Sequence, residues 1–232
     1  MKRLLLSGLL GLSLVASACA AETPAAGVRT IILVRHGEYD PDPAADPRLG
    51  PHLSAPGVAQ AHLVGARLAA LPGGFDALHS SPLQRARDTA AAIGQDFPKQ
   101  RFDVVDDLAE CTPPSRNAAA IADTPVAEQA ACAAQLERVF SANFKPSPGG
   151  NRTELFVCHG NVIRYLVTRA LGVDPKAWLS MSVGHASITK IRIKPDGSMQ
   201  VISVGDVGHL PPNLQTGTSA DPERSLLVPA LR

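Results

Sequence analysis

Three short stretches carry residues suited to binding and attacking an anion: Arg35-His36-Gly37-Glu38, Ser81-Pro82-Leu83-Gln84-Arg85 and His159-Gly160-Asn161. The first closes the almost unbroken apolar run Thr30-Ile31-Ile32-Leu33-Val34, and the third follows Leu155-Phe156-Val157-Cys158. Runs of that kind read as parallel strands buried on both faces, so each His-Gly pair stands at the carboxyl end of a strand. That edge is where open α/β sheets bind their ligands. One Arg-His-Gly turn alone argues little. Two histidines converging on one edge, joined there by Arg85 from a helix, form a set that chance seldom assembles. An imidazole offers an uncharged nucleophilic nitrogen near neutral pH, and arginines offer forked donors to the oxygens of a phosphoryl group.

The elements that must position these residues follow from periodicity and turn residues. Tyr39 to Pro51, acidic and proline-rich around Arg48, reads as a loop beside the site. Ser54-Ala55-Pro56 reads as a helix start, with Ala61, Val64, Leu68 and Leu71 at helical spacing before Pro72-Gly73-Gly74. A short strand over Phe75 to His79 leads to a second helix opening at Ser80-Ser81-Pro82, with Leu83, Ala86, Ala90, Ile93 and Phe97 inward. Phe102 to Val105 is a third short strand, and Asp106 to Thr124 a loop that carries Glu110. A third long helix places Val126, Ala130, Ala133, Leu136, Phe140 and Phe144 on its buried face, and a fourth runs from Val162 to Leu171. Ile188 to Ile193 and Met199 to Val204 form a hairpin through Pro195-Asp196-Gly197. The expected fold is therefore α/β: a three-layer sandwich with a mostly parallel mixed sheet, helices on both faces and a C-terminal hairpin.

The ends are different in kind. Met1-Lys2-Arg3, the apolar stretch Leu4 to Val15 and the small residues Ala16-Ser17-Ala18 resemble a bacterial secretory signal over residues 1–20, too short to span a bilayer. The reading is export to the periplasm. Cleavage near Ala21 and a lipoprotein signal ending before Cys19 both remain open, the latter giving a lipid anchor as the only membrane contact. Residues 25–210 are expected to form one domain, and 211–232, rich in Pro, Ser, Thr and Asp, a loosely ordered tail. The hydrophobic content of 45% suits a globular core, and the formal charge of +1 falls to −1 without Lys2 and Arg3. No basic run remains to hold nucleic acid.

The motifs resemble those of the histidine phosphatase superfamily, the relatives of phosphoglycerate mutase. The matching residues are Arg35-His36-Gly37-Glu38, Leu53-Ser54 with Gly57 and Gln60-Ala61, Ser81 to Ala86 with Thr89-Ala90, Leu108-Ala109-Glu110 and His159-Gly160-Asn161. Asn161 to Tyr165, Ser187-Ile188-Thr189 and Gly205 to Pro212 look closest to the mitochondrial protein-phosphatase branch of that superfamily. The resemblance implies a phosphomonoester hydrolase that works through a phosphohistidine, with His36 as nucleophile. Arg35, Arg85, His159, Gly160 and Asn161 would bind the phosphate, and Glu110 would serve as general acid and base. Ser81, Thr89 and Asn161 would hold these groups in place, while His185 and His209 read as structural or rim residues. No metal or cofactor is called for.

A mutase-type phosphotransferase is the alternative within this chemistry, and a phosphate-binding scaffold without catalysis the alternative outside it. A mutase needs extra cations at the pocket mouth, where this chain has an acidic loop; a scaffold would be expected to have lost Arg35, His36 or His159. The substrate, a small phosphoester or a phosphoprotein, is left open. Of the cysteines after Cys19, Cys158 ends an apolar strand and reads as a buried hydrophobe, leaving Cys111 and Cys132 as partners for a disulfide.

Overall fold

The apolar run that ends in Arg35 forms the middle of the molecule. In a computed structural model that describes residues 25–217, it is β1, Ala26–Arg35. On one side β1 pairs in parallel with β4, Gly150–Cys158, and on the other it pairs antiparallel with β5, Ile188–Ile193. β2, Ala77–Ser80, and β3, Phe102–Val104, extend the parallel part, and β6, Met199–Asp206, completes the hairpin with β5. The six-stranded order is β3-β2-β4-β1-β5-β6.

Alternation along β1 divides the core in two. Ile32 and Val34 face α1, Ala55–Ala69, and α2, Gln84–Gly94, through Val64, Leu68, Ala86 and Ile93. Ile31 and Leu33 face α3, Val126–Asn143, and α4, Gly160–Ala170, through Leu136, Val139, Ile163 and Leu166. Helices therefore cover both faces, as the sequence led us to expect. Ser54 caps α1, its hydroxyl accepting from the Gly57 N–H, and Pro56 lies in the first turn.

The register of β1 on β4 matters most for the site. Leu33 stands opposite Phe156, Val34 opposite Val157 and Arg35 opposite Cys158. His36 and His159 therefore leave the sheet side by side. α4 begins at Gly160, directly after His159, rather than at Val162. In α3, Val126 is 80% exposed instead of buried, and the buried stripe is Cys132, Leu136 and Val139. A period gives spacing but not the point along a helix where packing starts, and Val126 lies in the first turn, ahead of that point.

Candidate active site

Backbone pairing places His36 before any side chain acts. Its N–H donates to Cys158 O at 2.9 Å, and Ala186 N–H donates to His36 O at 3.2 Å. The turn after it lies against the start of α1, where an added Cβ on Gly37 would be 2.5 Å from Gly57 O and one on Gly57 1.9 Å from Glu38 O. Only glycine permits that approach. Gly37 N–H donates to Thr89 Oγ1 at 3.0 Å, and the Thr89 hydroxyl donates to Arg85 O at 2.7 Å, joining the His36 turn to α2.

The tautomer of His36 follows from its neighbours. Nδ1 lies 2.7 Å from Gly37 O, which can only accept, so Nδ1 carries the proton. Nε2 is left with its lone pair, and Arg85 Nε donates to it at 3.2 Å. Burial holds His36 uncharged well below the usual imidazole range, and His159, Arg35 and Arg85 push in the same direction. A nucleophilic nitrogen thus meets a guanidinium donor at the same spot.

His159 is fully buried, its ring centroid 5.0 Å from that of His36. Leu83 N–H donates to Ser81 Oγ, which lies 2.7 Å from His159 Nε2. Nδ1 has no partner. Burial, followed by Arg85 and Arg35, keeps this imidazole uncharged as well. Arg35 is lowered by burial only to about 10 and stays a cation at neutral pH. Its Nε is buried without a partner, 3.5 Å from where a Cβ on Gly160 would stand.

Glu110 lies in the loop after β3, and its Oε1 is likewise buried and unpartnered. Burial pushes the carboxyl up to about 7, against the pull of Arg35, Arg85 and Arg164 and of the Asn161 N–H. An acid poised there gives and takes a proton near neutral pH. Buried polar atoms seldom lack partners. A phosphoryl group with its leaving oxygen would satisfy Arg35 Nε, His159 Nδ1 and Glu110 Oε1 together. Asn161, expected to bind phosphate, instead directs its N–H at Glu110 and its side chain at Cys111 O, 2.9 Å away.

Cys111 and Cys132 are joined as a disulfide with a Cα separation of 5.6 Å, tying the Glu110 loop to α3. Cys158 is free and buried, its thiol pushed up by burial. Closing a loop of 21 residues is worth roughly 3 kcal/mol in the chain-entropy account. Cys111→Ser with Cys132→Ser should therefore lower the free energy of unfolding by about that amount, measured by urea denaturation. An unchanged midpoint would remove the bridge from the stability of the fold.

The reading of His185 and His209 as structural or rim residues resolves to the structural one: Arg35 Nη2 donates to His185 Nε2 at 3.0 Å, with the His185 ring 5.4 Å from that of His36, and His209 Nε2 lies 3.0 Å from Ala186 O. The expected loose tail is corrected: the chain is not loose from Pro211. Gln60 Nε2 donates to Leu214 O at 2.7 Å and to Thr216 Oγ1 at 2.8 Å, and Arg35 Nη1 donates to Gly217 O at 2.7 Å. Composition misleads because these bonds are made by backbone carbonyls and one hydroxyl, which no hydrophobic period records. The rest of the expected tail, residues 218–232, lies outside the described residues.

Sequence reasoning also passed over Tyr39, whose ring lies 4.9 Å from the Arg85 guanidinium carbon, and Arg164. Arg164 donates to Asn161 Oδ1 at 2.6 Å and to Gly160 O at 3.2 Å, and stacks on Trp178. The spacing Gly160-Asn161-Arg164 at the start of a helix was the available clue. A cavity of about 510 Å³ opens beside Arg35 and Arg164, walled by Leu179, Met181 and Val183.

The chain matches the profile of the histidine phosphatase superfamily, branch 1, over residues 31–115 and 113–206. It is 37% identical over 197 residues to the mitochondrial serine/threonine-protein phosphatase Pgam5 of Caenorhabditis briggsae, covering 83% of this chain and 68% of the relative. With the Xenopus tropicalis protein of the same name it shares 32% over 187 residues, covering 79% and 66%. A phosphoglycerate mutase from Plasmodium falciparum is similar in structure, with a TM-score of 0.56, 28% identity, and coverage of 80% of this chain and 95% of that one. These relatives also correct the expected location. They are named as mitochondrial proteins, a finding that overturns the expected bacterial periplasm. The secretory signal and the lipid on Cys19 fall in residues 1–24, outside the described residues, and among the described residues no helix is long and apolar enough to cross a membrane. With a profile that spans β1 to the end of β6 and relatives above 30% identity over most of the chain, the assignment is plain: the protein belongs to the histidine phosphatase superfamily.

Proposed function

We propose that this phosphatase cleaves phosphomonoesters of alcohols, phosphoserine and phosphothreonine side chains in particular, with His36 Nε2 as the attacking atom. The phosphorus–oxygen ester bond breaks as the Nε2–phosphorus bond forms. Arg35, Arg85 and His159 hold the phosphoryl oxygens, with the Gly160 N–H at the start of α4 beside them. Protonated Glu110 gives its proton to the departing alkoxide; ionised, it takes one from the water that then attacks phosphorus and frees His36.

The observation that carries this reading is the buried Glu110 carboxyl, raised to about 7 beside three arginines. Alkoxides are poor leaving groups and need such an acid; aryl oxides do not. The serine/threonine phosphatase name of the relatives supports the same substrate class. A mutase would need further cations at the mouth, and the loop there presents Asp40, Asp42 and Asp46.

Phosphate release from phosphoserine, phosphothreonine and phosphotyrosine peptides tests the proposal, with Arg85→Lys alongside. The wild type should act on the serine and threonine peptides, and Arg85→Lys should lose on the order of tenfold to a thousandfold, because it keeps the charge but not the fork. Turnover confined to small phosphoesters or to phosphotyrosine would overturn the substrate class.

A further inference from the structure

Arg35 is held on three sides by groups that take no part in the steps above. Nη1 donates to Val183 O at 2.8 Å and to Gly217 O at 2.7 Å, using both of its hydrogens, and Nη2 donates to His185 Nε2 at 3.0 Å. The edge formed by Nε and Nη2 is what remains for an anion, and it is the edge from which an arginine grips two oxygens at once. Nε is the buried atom without a partner.

An arginine nitrogen only donates, so His185 must present a lone pair at Nε2 and carry its proton on Nδ1. Nδ1 lies 2.9 Å from Thr216 Oγ1, which accepts that proton's bond. Thr216 is fixed in turn: its carbonyl accepts from His185 N–H at 2.9 Å, and its Oγ1 from Gln60 Nε2 at 2.8 Å. Gln60 is fully buried, and its Oε1 accepts from Glu38 N–H at 2.7 Å, two residues after His36. One amide thus ties the His36 turn to the C-terminal segment. Ala186, beside His185, is the non-glycine residue with positive φ (51°) among the described residues, a strained conformation of the kind that collects at functional sites. Gly217 has a φ of 74°, and a Cβ there would be 2.5 Å from His185 Nδ1.

We infer that residues Leu214–Gly217 are a positioning element of the phosphate site: Thr216 anchors the His185 ring through Nδ1, and His185 with the Gly217 carbonyl turns the Nε–Nη2 edge of Arg35 toward the phosphoryl oxygens. The inference rests on Arg35 being a phosphate ligand. Thr216, His185 and Gln60 touch no reacting atom; they act through Arg35.

The test is Thr216→Val, which keeps the shape and removes the acceptor, against Thr216→Ser, which restores it. Hydrolysis of 4-nitrophenyl phosphate and inhibition by vanadate are measured for both, with Gly217→Ala and Arg35→Ala in parallel. Thr216→Val and Gly217→Ala should lose on the order of tenfold to a hundredfold in kcat/KM and a similar factor in vanadate affinity. Thr216→Ser should stay within about twofold of wild type, a rescue that a merely structural residue would not require. A crippled Arg35→Ala beside an unaffected Thr216→Val and Gly217→Ala would overturn the positioning role. An Arg35→Ala that keeps full activity would instead overturn the reading of Arg35 itself, and the inference with it. Should Thr216→Val fail to fold, Thr216→Ala carries the same expectation and the same refutation.

Discussion

His36→Ala should abolish turnover, lowering kcat by about four orders of magnitude or more, as removal of a covalent nucleophile does elsewhere. The size of the effect follows from geometry. The Gly37 carbonyl accepts from Nδ1–H and Arg85 faces Nε2, so Nε2 combines a lone pair with a guanidinium donor for the oxygens it will attack beside. Rapid quench of the wild type with labelled substrate should place phosphate on His36. Label on His159, or a His36→Ala variant with substantial activity, would show that the covalent path lies elsewhere.

Glu110→Gln is the second large effect, and it should depend on the leaving group. Alkyl phosphates should slow by on the order of a hundredfold to ten-thousandfold, aryl phosphates far less, because an aryl oxide departs without a proton. Equal slowing of both would move the acid's role to another residue. The pH dependence has a definite sign. The acid must be protonated for the first step, so kcat/KM on an alkyl ester should fall as pH rises through about 7, and that limb should vanish in the variant. Stability runs the same way: a carboxyl raised from 4.5 to about 7 contributes fully below its unfolded value and loses that contribution as pH climbs through about 7. Glu110→Gln should therefore melt higher than wild type above pH 7.

The layout of the sheet was legible because burial on both faces leaves a plain mark: Ile31 to Val34 and Leu155 to Cys158 contain no polar residue, and each leads into a His-Gly pair, the first by way of Arg35. Arg85 was legible from the serine and proline that open its helix. Glu110 rested on resemblance alone, since a lone loop carboxylate has no period to betray its burial. The segment Leu214–Gly217 was misread because what binds it is backbone. Arg35 and His185 use carbonyls that every residue possesses, so composition carried no trace of them. Location was misread from the first residues, where the likeness to a secretory signal pointed to a compartment that the names of the relatives do not support.

The unpartnered buried atoms of the site bear on more than catalysis. Arg35 Nε, His159 Nδ1 and Glu110 Oε1 are buried with no partner among the protein's own groups, and two uncharged imidazoles lie beside buried guanidinium groups. Such a pocket works against the fold that contains it, the usual tension between a prepared site and a stable molecule. Phosphate that binds the native state alone would relieve it, adding about 2.7 kcal/mol when present at a hundredfold above its dissociation constant. Added phosphate should therefore raise the melting temperature, which would make heat tolerance a joint property of the chain and the anions around it.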